Sequence, residues 1–303
     1  MQNRKRQIEK TQPDPQSLPI FPGMGGAPRI AGYELIQPLG GGPFARVYSA
    51  HEFATDAVVA LKHLPDDAPH FDLALTLLRR EARAGLKTVH PNLVRVRVDH
   101  TIVRPYYLTM DLLRGESLRA ALKRRYLLRP NTALWVARQI AEALAALHKQ
   151  GYLHGDVKPE NVRLTDAHTA VLIDLGYAHK PGGNSQFHRD GFILGTANYL
   201  APEVCAQSAT ADYRGDVFSL GVMLYEMLTG ELPYPPGTPA QTLEAHRTLP
   251  AADLRDRAGS WPRPLPALVR RMTAHSPLNR PRAVTLVDEL TTLEIAAQRQ
   301  SAA

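Results

Sequence analysis

Three side chains able to do chemistry stand close together in the stretch LHGDVKPENV, residues 153–162: the carboxylate of Asp156, the ammonium of Lys158 and the amide of Asn161. Pro159 lies between them and argues against a continuous helix, so the group is expected on a loop. A second carboxylate, Asp174, follows in RLTDAHTAVLIDLG. Two short apolar runs flank the turn-prone DAHT, which predicts a hairpin that returns the chain beside its start. Asp174 would then lie close to Asp156 and Asn161. Two carboxylates and an amide on loop ends can supply a base and a seat for a hard cation, and Mg2+ prefers oxygen ligands of this kind. A D-x-K-P motif by itself is equally compatible with a surface loop that carries unrelated acids.

Upstream, LGGGPFARVY places Gly40 and Gly42 in a turn between two strand-like runs. A backbone without Cβ can approach phosphate oxygens and offer its N–H groups to them. Taken alone, such a turn is more often a plain hairpin. Lys62 ends the apolar run VALK, and Glu81 lies in the next helical pattern, where it could pair with the lysine. Surface pairs of that type are common and weak.

These residues need elements to hold them. From Tyr33 onward, YELIQPLG, GGPFARVYSAHE and AVVALKHL are short runs rich in Val, Tyr and Phe, separated by turn residues, as in an antiparallel sheet. Residues 71–88 read as a helix, and LVRVRVDHTIVRPYYLTMDLL returns to strand. After Gly115 helices take over. Leu134, Ala137, Ile140, Ala141, Leu144, Leu147 and His148 recur at helical spacing, with Asn131 or Thr132 expected to cap the start and Gly151 the end. VFSLGVMLYEMLTG is apolar nearly all round, which predicts a helix buried on every side, and VTLVDELTTLEIAAQ reads as a closing helix. A strand-rich first third and a helix-rich remainder make a two-lobed α+β protein.

Composition narrows the function classes. The 303 residues are 44% hydrophobic and 21% charged, ordinary for a globular protein with a sizeable core. Lys and Arg number 36 against 29 acids, a formal charge of +7, but they are scattered without an aromatic-interleaved basic stripe. Nucleic acid is therefore not the expected partner, whereas a nucleoside triphosphate suits a basic surface. The single cysteine, Cys205, excludes an intramolecular disulfide. The N-terminus MQNRKRQIEK lacks an apolar core segment, and no run approaches the roughly 18 apolar residues of a membrane span, so a cytoplasmic protein is expected.

Taken in order, GGGPFARV, VALK, REARAGLKTVHPNLV, HGDVKPENV, DLG, GTANYLAPE, DYRGDVFSLGVMLYEMLTGELPY and NRP resemble the eukaryotic-type, or Hanks-type, serine/threonine protein kinases, including bacterial ones. The resemblance covers residues about 33 to 295. Residues 1–31, polar and then rich in Pro and Gly without a sustained apolar period, read as a flexible tail; the resemblance implies a kinase domain over 32–295 divided into an N-lobe (32–113) and a C-lobe (114–295), with a short tail over 296–303. It also implies ATP and Mg2+ as cofactors and a protein bearing a Ser/Thr hydroxyl as acceptor. Leu39, Gly40, Gly41, Gly42, Val47, Ala60, Met110, Asp111, Leu113 and Arg163 would surround the nucleotide. Met110 resembles the gatekeeper, and Asp111 to Leu113 the hinge that meets adenine. Lys62 would hold the α- and β-phosphates, oriented by Glu81. Asp156 would accept the hydroxyl proton, Lys158 would neutralise the moving γ-phosphoryl group, and Asn161 and Asp174 would bind Mg2+. Lys158 and Thr196 resemble the serine/threonine branch. Asp216 would anchor the catalytic-loop backbone, and Glu203 with Arg280 the large lobe.

The chain departs from the family pattern at several places. Ala45 replaces the third loop glycine, and DLG replaces D-F-G. Arg163 stands where a large aliphatic residue usually lies beneath adenine; its stem can cover the base while its head reaches water. Gly155 stands where most relatives carry an arginine whose charge a loop phosphate neutralises. Without that arginine the need for a phosphate falls. A glycine that merely eases a backbone bend fits equally well. Two other readings stay open, a pseudokinase that binds nucleotide or scaffolds, and a small-molecule kinase of related fold.

Overall fold

The computed structural model describes residues 28–302, apart from 43, 190–191, 207–211, 258 and 260. Most of the tail expected over 1–31 lies outside the described residues. Its last part does not behave as a tail. Ile30 is buried against Ala50, Val59, Leu61 and Tyr107, so the folded lobe begins slightly before residue 32.

The first lobe is a five-stranded antiparallel sheet crossed by one helix. β1 (Tyr33–Gly41), β2 (Arg46–Glu52) and β3 (Ala57–His63) lead into α1 (Phe71–Lys87), followed by β4 (Val96–His100) and β5 (Tyr107–Asp111), and the sheet order is β1-β2-β3-β5-β4. α1 turns Ala74, Leu75, Leu78 and Ala82 onto the sheet, where they meet Ala60, Leu64, Leu108 and Met110. This amphipathic stripe is what the helical spacing of 71–88 predicts.

The second lobe begins with β6 (Gly115–Ser117), α2 (Leu118–Arg125) and α3 (Pro130–Lys149). α3 starts at Pro130 rather than at an Asn131 or Thr132 cap. Proline is preorganised for the first helical position and loses no hydrogen bond there. β7 (Val162–Thr165) and β8 (Ala170–Leu172) form the expected hairpin, with Leu164 opposite Ala170. Then come α4 (Ser185–Arg189), α5 (Pro202–Cys205), α6 (Arg214–Thr229), α7 (Pro239–Thr248), α8 (Leu265–Met272) and α9 (Ala283–Ala302). α6 is buried from Gly215 to Leu228 and closes on Gly230 at φ 77°, so the all-round apolar pattern correctly marks the axis of this lobe. α3, α6 and α9 pack their apolar faces into one core. α9 continues through the region expected as a tail, with Ala297 buried, because the apolar spacing persists past residue 295.

Candidate functional site

The site is assembled from the edge of the sheet and the loops of the helical lobe. β1 and β2 are joined by the glycine turn. Gly41 has no room for a side chain: a Cβ there would lie 2.6 Å from the Ala45 carbonyl oxygen. The turn is closed by the Gly42 N–H, which donates to that same carbonyl at 3.0 Å. Sheet register then aligns the other members. Gly40 pairs with Val47, Val47 with Lys62, and Ala60 with Met110, so these residues hold neighbouring positions across β1, β2, β3 and β5. Leu39 is exposed, Val47 half-buried, and Ala60 and Met110 buried. Asp111 pairs with Arg97 across the sheet at 2.5 Å. At the entry to the second lobe the half-exposed head of Arg163 also finds backbone partners. It donates to the carbonyl oxygens of Gly115 at 2.5 Å and Leu113 at 3.3 Å, tying the connection between the lobes to β7.

Lys62 joins three elements. Its ammonium donates to Glu81 Oε2 at 2.6 Å and to Asp174 Oδ1 at 2.9 Å. Burial disfavours the charged lysine, but the Asp174 and Glu81 carboxylates outweigh it and hold the ammonium protonated well above its ordinary range. Burial likewise works against the Asp174 carboxylate, yet the Lys62 ammonium beside it holds that carboxyl down at about 2. Glu81 is almost wholly enclosed, and burial pushes its carboxyl up. Lys62 is therefore a cation held by two acids in a protected cleft, not the solvated strand end that its position alone permits.

The second cluster lies on the loop before β7. Asp156 is 4% exposed. Its Oδ1 accepts from the Thr196 hydroxyl at 2.7 Å, and its Oδ2 faces Lys158 Nζ at 2.7 Å and Asn161 Nδ2 at 3.0 Å. Lys158 also donates to Thr196 Oγ1 at 2.6 Å, closing a triangle of carboxylate, ammonium and hydroxyl. The hairpin brings Asp174 alongside as expected: the Ile173 N–H donates to the Asn161 carbonyl at 2.8 Å. Asn161 spends its amide nitrogen on Asp156, which leaves the amide oxygen as its acceptor. A carboxylate and an amide oxygen are hard donors of the kind Mg2+ prefers, so Asp174 and Asn161 fit that cation by their chemistry. Among the described residues no three His, Cys, Asp or Glu side chains converge. A cation there would therefore be completed by ligand oxygens and water, as Mg2+ commonly is.

Asp216, at the start of α6, holds this loop from below. It accepts the N–H groups of His154 at 2.8 Å and Gly155 at 2.9 Å, and its Oδ2 lies 2.8 Å from His148 Nε2. Burial opposes the carboxylate, but these partners keep it below its usual range. Gly155 has φ 80°, and a Cβ would stand 2.9 Å from the Tyr177 carbonyl. Backbone geometry is thus sufficient reason for glycine here. Gly155→Ala is expected to cost about 1–2 kcal/mol, the usual penalty for a side chain in the left-handed region. A fall of several degrees in the thermal unfolding midpoint would register it, and an unchanged midpoint would show that the bend is not constrained.

Glu203 and Arg280 form the expected bidentate pair, at 2.7 and 2.8 Å, with the guanidinium over the Phe218 ring at 4.8 Å. Two groups escape sequence reasoning. Arg119 on α2 gathers Glu160, Glu226 and Tyr199 at 2.5–2.7 Å, linking four separate elements around the Asp156 loop. Arg80, beside Glu81 on α1, reaches the segment before α4. Neither lies in a spacing that a sequence pattern exposes.

The chain matches the family described as Protein kinase domain over residues 33–290. It is 33% identical over 268 residues to the serine/threonine-protein kinase PknD of Mycobacterium tuberculosis, covering 86% of this chain and 40% of that protein. It is 28% identical over 253 residues to the serine/threonine-protein kinase PrkC of Bacillus subtilis, covering 83% of this chain and 39% of that protein. The chain therefore spans about two fifths of the length of these curated relatives.

Proposed function

Because this chain belongs to the protein kinase family, we propose that it is a serine/threonine protein kinase that transfers the γ-phosphoryl group of ATP to a Ser/Thr hydroxyl of a protein. The observation that carries this reading is that both charge clusters are assembled at once. Lys62, Glu81 and Asp174 are joined at 2.6 and 2.9 Å, and Asp156 is fixed by Lys158, Thr196 and Asn161. Transfer of this kind asks for positioning and charge stabilisation more than covalent chemistry.

In this reading the kinase domain runs from about residue 30 to the end of α9 and is divided at about residue 113. Leu39, Gly40, Gly41, Gly42, Val47, Ala60, Met110, Asp111, Leu113 and Arg163 surround the nucleotide. Lys62, kept in place by Glu81, meets the α- and β-phosphates. Asn161 and Asp174 would hold Mg2+, which when bound would offset the negative charge of the nucleotide phosphates. Asp156 accepts the hydroxyl proton, Lys158 faces the γ-phosphoryl group, and Thr196 orients both through its two hydrogen bonds. A cytoplasmic setting is part of the proposal because ATP and Mg2+ are supplied there. Among the described residues no helix is long and apolar enough to cross a membrane.

Incubation with labelled ATP, Mg2+ and a generic protein acceptor tests the reading. Label in serine or threonine is expected. Nucleotide binding without transfer would instead indicate a pseudokinase, and label only in a small molecule a different acceptor class.

A linked expectation follows from Gly155. The residue immediately before Asp156 is glycine and not a cation, so no charge at that position waits for a phosphate. Exhaustively dephosphorylated protein is expected to retain its transfer rate, and Ser185→Ala to change it little. Initial rates before and after phosphatase, with removal confirmed by mass spectrometry, check this. A drop of tenfold or more, about 1.4 kcal/mol in barrier, would contradict it.

A further inference from the structure

We propose that Arg80 is a positioning residue that clamps the segment around 183–187 to α1 through uncharged partners, and so keeps the Lys62–Glu81 pair assembled without a phosphate. The proposal rests on the kinase reading for its effect on rate, and on geometry for the clamp itself.

Arg80 and Glu81 are consecutive on α1, so their side chains leave the helix about 100° apart. Glu81 points into the cleft and binds Lys62. Arg80 points to the segment that follows DLG. Its Nη1 donates to Asn184 Oδ1 at 2.7 Å and its Nη2 to the Gly183 carbonyl at 2.8 Å. The guanidinium carbon lies 4.9 Å from the centre of the Phe187 ring. One planar group therefore uses its fork on a carbonyl and an amide and its face on an aromatic ring. That combination suits arginine and not lysine.

The charge balance is the unusual part. Among the described residues no acid lies within ion-pair distance of Arg80. Burial pulls its guanidinium below the ordinary range. An anion would normally be expected opposite such a cation. Here neutral oxygens take that place, and Asn184, itself buried, supplies one of them. The turn behind it is closed by the Gly183 N–H donating to the Lys180 carbonyl at 2.8 Å, which presents the Gly183 carbonyl to Arg80.

The same segment is fixed at its other end. Leu153 N–H donates to the His179 carbonyl at 2.8 Å, and His179 N–H returns to the Leu153 carbonyl at 3.2 Å. Leu153 lies three residues before Asp156. The segment thus spans from the loop of Asp156 to the helix of Glu81. Swinging α1 away would strip both hydrogen bonds and the ring contact from a half-buried cation, leaving donors unpaired. The clamp therefore biases α1 towards the position in which Glu81 meets Lys62.

The test uses the full chain after phosphatase treatment, as wild type, Arg80→Ala and Arg80→Lys. Three quantities are read: kcat and KM for ATP and acceptor, amide hydrogen exchange across 180–189 without nucleotide, and the thermal midpoint. Arg80→Ala is expected to lower kcat at least fivefold with little change in acceptor KM, and to speed exchange across 183–187 at least fivefold. Arg80→Lys is expected to recover neither, since it keeps the charge and loses the fork. A smaller effect of Arg80→Ala on either quantity overturns the proposal. So does full rescue by lysine, which would show that charge alone suffices without the fork, or a wild-type rate that collapses on dephosphorylation, which would make Arg80 a receptor for phosphate. If wild type transfers nothing, the kinase reading fails, while the exchange contrast still decides whether the clamp exists.

Discussion

Asp156→Asn is expected to reduce phosphoryl transfer by at least a hundredfold while leaving nucleotide affinity within about threefold of wild type. General-base assistance contributes on the order of 10²–10⁴-fold, and an amide cannot take a proton from the acceptor hydroxyl. Local contacts deepen the loss. Asp156 Oδ2 now accepts from Asn161 and faces the Lys158 ammonium, so an amide nitrogen turned that way would set donor against donor. Turning the amide oxygen that way instead places its nitrogen against Thr196, whose hydroxyl now donates to Oδ1. Either orientation breaks part of the triangle. Nucleotide binding should survive because none of the contacts to Lys62, Glu81 or Asp174 passes through the Asp156 side chain. Steady-state kinetics and equilibrium nucleotide titration on the same preparation check this. Transfer within tenfold of wild type would remove Asp156 from the base role.

Much of this arrangement is legible in the sequence because its parts are close in the chain or joined by a tight turn. Asp156, Lys158 and Asn161 lie on one loop, and a hairpin returns Asp174 to Asn161 through the Ile173 N–H. The all-round apolar run predicts the buried α6, since only a helix surrounded by protein lacks a polar face. Contacts between distant residues with no periodic signal stay hidden. Arg80 meets Asn184 across 104 positions, and Arg119 meets Glu226 across 107. In sequence each is one more surface arginine in a basic chain. Arg163 shows the same limit at shorter range. Its stem and head are readable as types, but the two backbone carbonyls that meet the head are set by the β6–β7 pairing. Gly155 illustrates an ambiguity that only dihedral angles address, because φ 80° accounts for glycine whatever role an arginine plays elsewhere.

Lys62→Met is expected to lower transfer on the order of tenfold to a hundredfold, by removing the cation from the α- and β-phosphates. Charge-assisted hydrogen bonds of this type contribute about 1.5–3 kcal/mol. The substitution also strands two acids. Glu81 sits in an enclosed site with burial already pushing its carboxyl up, and Asp174 owes its low value of about 2 to the lysine. Without the ammonium both carboxyls should rise, and α1 loses its charge link to the cleft. The sign of the pH effect follows. Asp174 in wild type is depressed below the ordinary carboxylate value of about 3.9, so its pairing stabilises the fold fully above that value and is lost as pH falls towards 2. In Lys62→Met that acid-side contribution should vanish, and the stability curve below pH 4 should flatten relative to wild type. Lys62→Arg separates charge from geometry: it should retain the acid-side profile yet recover little transfer, because a planar fork does not reproduce a compact ammonium between two carboxylates and a phosphate. Rate, nucleotide affinity and denaturant midpoints across pH 2–7 distinguish these effects. If Lys62→Met matches wild type in both rate and nucleotide affinity, the lysine does not meet the phosphates, and the link from the glycine turn through β3 to Glu81 is structural only.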